Sequence, residues 1–303
     1  MPITVSISKQ KNDRNFIAKQ AENTISFVDD NVLGVDASTT MNLFVDLSAN
    51  QVTDVYIPNN DLWCNDIRSM LTGNHMLCIN GGWPVHRYGL QAITPRHVIS
   101  AGHASFAIGS TVTYVNTDGS IFKTTISKWI NDHPSINQGL VSDTKQPYVT
   151  DVSVHLLADE LPSWVYKAPI YSMTSSERKL FVEQYNTPFI NISQGSGALT
   201  PKNRMVYLFH NENLSPDAGA RSSFVYYAQP GDSGTCQFIY MGGKLYLYAL
   251  IVNLNNTSPI LLYNYISYIN SLITRADVSA GISTGYSLTV DTIDGVKSYY
   301  YNQ

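Results

Sequence analysis

Two runs of alternating side chains, Thr111–Asn116 and Ile121–Ser127, are separated by Asp118-Gly119. Alternation places one face of each run toward a core, and an Asp-Gly between such runs turns the chain back on itself. The spacing therefore predicts an antiparallel hairpin. Further strand-like runs follow: Met76–Ile79 and Tyr88–Ile93 flank Gly81-Gly82, and Phe189–Ser193, Met205–His210, Ser223–Ala228, Gln237–Tyr240 and Leu245–Val252 lie later. Short strands at this density predict an all-β antiparallel barrel or sandwich. One segment reads as helix: in Tyr263–Ile273, residues Ile266, Ile269, Leu272 and Ile273 share a face. A polar stretch, Gly285–Gln303, reads as a final hairpin.

The first 60 residues carry weaker signals. Thr4–Ile7, Thr24–Val28, Asn42–Leu47 and Val52–Ile57 read as short β-like pieces, with turns at Asp29-Asp30-Asn31 and Ser38-Thr39-Thr40. Asp61–Leu71 reads as a short helix.

Composition narrows the functional classes. Apolar residues make up 44% of the 303, enough for a core, and charged residues only 14%. Twenty tyrosines and few charges suit a β-rich chain with polar, uncharged loops, not a disordered one. The net charge of −4 comes without any basic block, so nucleic acid is not expected as a partner. No apolar run reaches the ~20 residues needed to span a membrane. The opening MPITVSISKQKNDRNF has no apolar core behind a basic end, so the chain is expected to be cytosolic, already processed or exported by another route. Cys64, Cys78 and Cys236 are too few, and odd in number, for a disulfide framework. They are expected to be buried thiols, with a Cys64–Cys78 bridge as the alternative. No Cys/His spacing offers a zinc site, and no cofactor is expected.

Three fragments carry chemistry. In Ile93-Thr94-Pro95-Arg96-His97-Val98-Ile99-Ser100-Ala101-Gly102-His103, a histidine stands where an apolar strand ends. In Val149-Thr150-Asp151-Val152-Ser153-Val154-His155-Leu156-Leu157, an aspartate opens a strand. In Gln229-Pro230-Gly231-Asp232-Ser233-Gly234-Thr235, a serine sits in a glycine-flanked turn. A serine hydroxyl needs an adjacent base to become nucleophilic. Histidine can take that proton near neutral pH and return it to a leaving group. A carboxylate fixes the ring's tautomer, and backbone N–H groups around a glycine-rich turn can hold an oxyanion. His103, Asp151 and Ser233 are the candidates, with Gly231 and Ser233 as the N–H donors. His97 and His155, inside strands, read as structural, and Asp132 and Asp143 are weaker alternatives to Asp151. Sequons begin at Asn191, Asn213 and Asn255 or Asn256.

These fragments resemble the trypsin/chymotrypsin-like serine peptidases, which place a Thr-Ala-Ala-His-type, an Asp-Ile-Ala-Leu-type and a Gly-Asp-Ser-Gly motif in the same order. The resemblance covers about residues 75–275. It implies two six-stranded antiparallel β-barrels with the site between them and a C-terminal helix, and a serine endopeptidase acting on a protein or peptide substrate. It implies a pocket floor at Tyr227, six residues before the serine; the family's Ser-Trp-Gly substrate-binding strand has no clear copy, and Ala249–Asn253 occupies roughly its place, with Val252 in the pocket. With no aspartate at the floor, an Arg/Lys preference is not expected. The chain departs from the family at Ala104, where a cysteine commonly follows the histidine, and at Thr235, where a glycine is common. No Arg/Lys-Ile-Val-Gly-Gly activation site precedes the domain; if the family's route needs a freed N-terminus beside the serine, Asp232 is expected to pair with a side chain instead, or the site to be preformed.

The expected organisation is an N-terminal extension (1–72), a peptidase domain (73–280; barrels at about 75–160 and 185–262, helix 263–273) and a tail (281–303). The alternative is a peptidase fold without activity, serving in an assembly such as a virion, with a partner held through residues 1–72.

Overall fold

The computed structural model describes residues 3–45, 55–74, 77–80, 83–84, 89–103, 106–131, 150–193, 205–209, 219–225, 232–252 and 260–302. The chain is mostly β, with two sheets and a few helices. The first sheet uses β1 (Leu77–Asn80), β2 (Trp83–Pro84), β3 (Gln91–Ala92), β4 (His97–Ala101), β5 (Thr111–Val115), β6 (Ile121–Asn131) and β7 (Val152–Leu157), in the order β2-β1-β5-β6-β7-β4-β3. The expected hairpin is present: Thr111 pairs with Thr125 and Val115 with Ile121. β6 then changes partner, its second half pairing β7 across a register shift at Ile126/Lys128. A long strand serving two neighbours around a bulge curls the sheet into a half-barrel.

The second sheet joins β8 (Ile170–Tyr171), β9 (Phe189–Ser193), β10 (Met205–Phe209), β11 (Cys236–Met241), β12 (Lys244–Leu250), β13 (Ile260–Leu261), β14 (Leu288–Ile293) and β15 (Val296–Tyr301). Its order is β10-β9-β11-β12-β8-β15-β14, with β13 beside β12. The expected C-terminal hairpin is β14–β15. Asp294 and Gly295 both have positive φ (53° and 78°), as the two-residue turns that match strand twist require. Pairing of β15 with β8 makes this hairpin part of the second sheet.

The helices are α1 (Ile3–Val32), α2 (Ala37–Thr40), α3 (Arg68–Leu71), α4 (Ser175–Arg178) and α5 (Ile266–Ser279). α5 contains the expected C-terminal helix and packs Ile269, Leu272, Ile273 and Ala276, all buried, over β6 and β7. β7 is therefore covered on both faces. Val152, Val154 and Leu156 enter the large core shared with α5 and the second sheet, and Leu157 joins Leu90, Val98, Phe106 and Tyr114 inside the curl.

The reading of the N-terminal residues is corrected. Thr4–Ile7 and Thr24–Val28 are not β pieces, and Asp29-Asp30-Asn31 is not a turn; all lie in α1. The buried positions Ile17, Gln20, Ala21, Thr24, Val28 and Val32 recur every three or four residues and face β11 and the turns at 179–184 and 219–224. Two of the six are polar, which weakens the apolar period, and β-branched residues locally favour strand. Tertiary packing overrides that preference. Ser38-Thr39-Thr40 forms the short α2, capped by Asp36. In Asp61–Leu71 a 3-10 turn, Asn65–Ile67, leads into α3. Ser223–Ala228 is also corrected where it is described: Gly219–Phe224 is a 3-10 turn and Val225 makes a lone bridge to Leu208.

Candidate active site

The site lies where the end of β4, the start of β7 and the turn before β11 meet. Ala101 pairs with Val152, so Gly102-His103 and Asp151 leave adjacent strands side by side. Asp151 is wrapped by that turn. Its carbonyl accepts the Gly102 N–H at 3.0 Å, and its Oδ1 accepts the His103 N–H at 2.8 Å. A Cβ at position 102 would stand 2.8 Å from Asp151 Oδ1, so only glycine lets the turn close this tightly. The second carboxylate oxygen, Oδ2, lies 2.7 Å from His103 Nδ1. An ionised carboxylate only accepts, so Nδ1 carries the proton and Nε2 presents its lone pair. Ser233 Oγ is 2.7 Å from Nε2 and is placed to donate its hydroxyl proton there. Both separations lie inside the roughly 2.6–3.2 Å over which a base takes a proton. The His103 side chain is 29% exposed and that of Asp151 13%, so one edge of the ring faces solvent while the carboxylate is mostly shielded.

Ser233 is held from both sheets. The Gly234 N–H donates to Ile251 O at 2.7 Å and Ile251 N–H to Thr235 O at 3.0 Å, extending the β11–β12 pairing to the turn. From the other side, Gly89 N–H donates to Ser233 O at 3.0 Å, and Ser100 Oγ donates to Gly89 O at 2.6 Å. Gly234 has φ +80°, and a Cβ there would meet Ser100 Oγ at 2.3 Å and Gly89 O at 2.6 Å. This glycine is required by conformation and by the close approach of the sheets. Asp232 is buried, and its carbonyl accepts the Thr235 N–H.

The expected donor Gly231 and the expected pocket floor Tyr227 lie outside the described residues, as do Ala104, Asp132, Asp143 and the sequons at Asn213 and Asn255/Asn256. Val252 is half-buried at the end of β12, against both cores. Asn191 is fully buried in β9, which closes that sequon to modification. Cys64 is a buried free thiol, so there is no Cys64–Cys78 bridge, and burial pushes its thiol well up; Cys236 is buried with Sγ 3.6 Å from Gly234 O.

The other two strand histidines are structural, as expected. His97 is fully buried, with Nδ1 2.9 Å from Thr94 Oγ1 and Nε2 3.1 Å from Asp277 Oδ1. Thr94 Oγ1 already accepts the N–H groups of Arg96 and His97, so its own hydrogen points at Nδ1 and the neutral ring donates from Nε2. Burial, opposed by Asp277, lowers the His97 pKa to about 4. His155 sits between Phe106 and Trp129, its Nε2 3.0 Å from Ser153 Oγ, and burial lowers its pKa to about 3.

Sequence reasoning did not single out Gly89, Ser100 as a contact of the serine turn, or Asp277. Their partners are remote in the chain, and no local signal marks them. Among the described residues no group of three His, Cys, Asp or Glu side chains could hold a metal, and no helix is long and apolar enough to cross a membrane. No protein-family model matches the chain, and no curated protein is similar to it in sequence.

Proposed function

We propose that this chain is a serine endopeptidase of the trypsin/chymotrypsin-like kind, its two sheets corresponding to the two barrels of that fold. The observation that carries the reading is the continuous contact Asp151–His103–Ser233, with 2.7 Å on either side of the ring. Ser233 Oγ attacks a peptide carbonyl while its proton passes to His103 Nε2. Asp151 holds Nδ1–H and stabilises the imidazolium. The family resemblance assigns the tetrahedral oxyanion to the backbone N–H groups of Gly231 and Ser233. His103 then protonates the leaving amine, and the ester on Ser233 is hydrolysed by a water that His103 deprotonates. The family resemblance, which implies a pocket floor at position 227 and no aspartate there, favours small uncharged side chains over Arg or Lys.

The test is labelling of the folded protein by a fluorophosphonate, which reports an activated serine without knowledge of the substrate. Labelling of wild type but not of Ser233→Ala or His103→Ala is expected. A folded wild type that does not label refutes the enzyme and leaves the reading of a peptidase fold used as an assembly component.

A further inference from the structure

The serine-bearing segment leaves helix α1 and returns to it. Twelve residues before Ser233, Arg221 makes a two-pronged ion pair with Asp29 of α1: Nε to Oδ1 at 2.6 Å and Nη2 to Oδ2 at 2.9 Å. Just beyond Arg221 the chain is fixed again. Phe224 is fully buried against Trp63, ring centroids 6.0 Å apart, and Val225 bridges to Leu208. Seven to nine residues after Ser233, at the far end of β11, α1 takes hold a second time. Thr24 Oγ1 donates to Tyr240 O, the Gly242 N–H donates to Gln20 Oε1 at 3.1 Å, and Phe27 stacks on Tyr240 at 4.1 Å.

Both grips fall within Gln20–Asp29 of one helix. A helix is stiff over such a length, so the two ends of the span 221–242 are held at a fixed separation. The serine turn between them also docks on the first sheet through Gly89, Ser100 and Gly234. Releasing the Arg221 end leaves that end held by Phe224 and Val225 and the turn by its sheet contacts, so the approach of the turn to His103 loses one constraint. A displacement of about 1 Å at a reacting group is enough to lose ~100-fold in rate.

We infer that Asp29 and Arg221 are positioning residues: through their ion pair, α1 braces the serine-bearing segment and sets the reactivity of Ser233. This rests on the peptidase reading above. The side chains of the pair are only 15% and 30% exposed, so breaking it also costs stability, and the thermal midpoints together with the exchanged pair separate that cost from an effect on reactivity.

The full chain, Arg221→Met, Asp29→Asn and the exchanged pair Asp29→Arg/Arg221→Asp are labelled with a dialkyl fluorophosphonate, and thermal midpoints are measured in parallel. The single variants are expected to label on the order of 10–100-fold more slowly with midpoints within a few degrees of wild type. The exchanged pair is expected to recover part of the rate. Recovery ties the loss to the ion pair and not to the individual side chains. Single variants that label at the wild-type rate overturn the brace, as does a loss that only tracks the unfolded fraction. If Arg221→Met does not fold, Asp29→Asn decides alone. A wild type that does not label refutes the peptidase reading itself, whereas a reactive wild type with unaffected variants refutes only this inference.

Discussion

Acid should unfold this protein through its two buried strand histidines, well before most carboxylates are protonated. His97 and His155 are neutral in the folded state because burial lowers their pKa values from 6.5 to about 4 and about 3. Asp277 faces His97 and opposes the fall, and Arg96 supports it. In the unfolded chain both rings take up a proton near pH 6.5. Between pH 6.5 and 4 the unfolded state therefore binds more protons, and stability declines as pH falls. The contribution is fully present above about pH 6.5. At ~1.4 kcal/mol per pH unit, each histidine costs about 2 kcal/mol by pH 5, or about 4 kcal/mol for the pair. Urea unfolding followed by tryptophan fluorescence at pH 8 and pH 5 measures it. His97→Gln should reduce the loss between the two pH values by about 2 kcal/mol. His155→Phe, which fits between Phe106 and Trp129, should do the same. Equal losses in wild type and both variants would refute the argument.

Two further substitutions probe the packing around the serine. Gly234→Ala adds a Cβ 2.6 Å from the Gly89 carbonyl at φ +80°, so the sheets must separate; a loss of ~3 kcal/mol or more is expected, together with loss of fluorophosphonate labelling. A thermal midpoint within a degree of wild type would contradict this. Gln237 is fully buried on β11 opposite Asn191, with neither side-chain polar atom partnered among the described residues. Gln237→Met should therefore raise stability by about 1 kcal/mol in urea unfolding, and a clear destabilisation would show that the amide is satisfied after all.

Much of this molecule was legible locally. Alternation around Asp118-Gly119 marked the β5–β6 hairpin, and the 3.6-residue period of Ile266, Ile269, Leu272 and Ile273 marked α5. The three chemical fragments were readable because each sits at a strand boundary with its own turn residues: Gly102 before His103, Asp151 ahead of an apolar run, and Gly234 after Ser233. Side-chain period and turn chemistry are properties of neighbours in the chain, so sequence alone determines them.

Other features were decided only by tertiary structure. Thr4–Ile7 reads as a short β-like piece, yet the residues belong to a helix whose buried stripe includes Gln20 and Thr24. The Gln20 amide is tolerable there because Gly242, more than 200 positions away, completes a hydrogen bond with it, whereas Thr24 has both Tyr240 and the Gln20 carbonyl one turn back as acceptors. His97 needs Asp277, 180 positions later, and Ser233 reaches His103 across 130. A contact between distant segments depends on how the sheets pack, and no local period or turn residue encodes it.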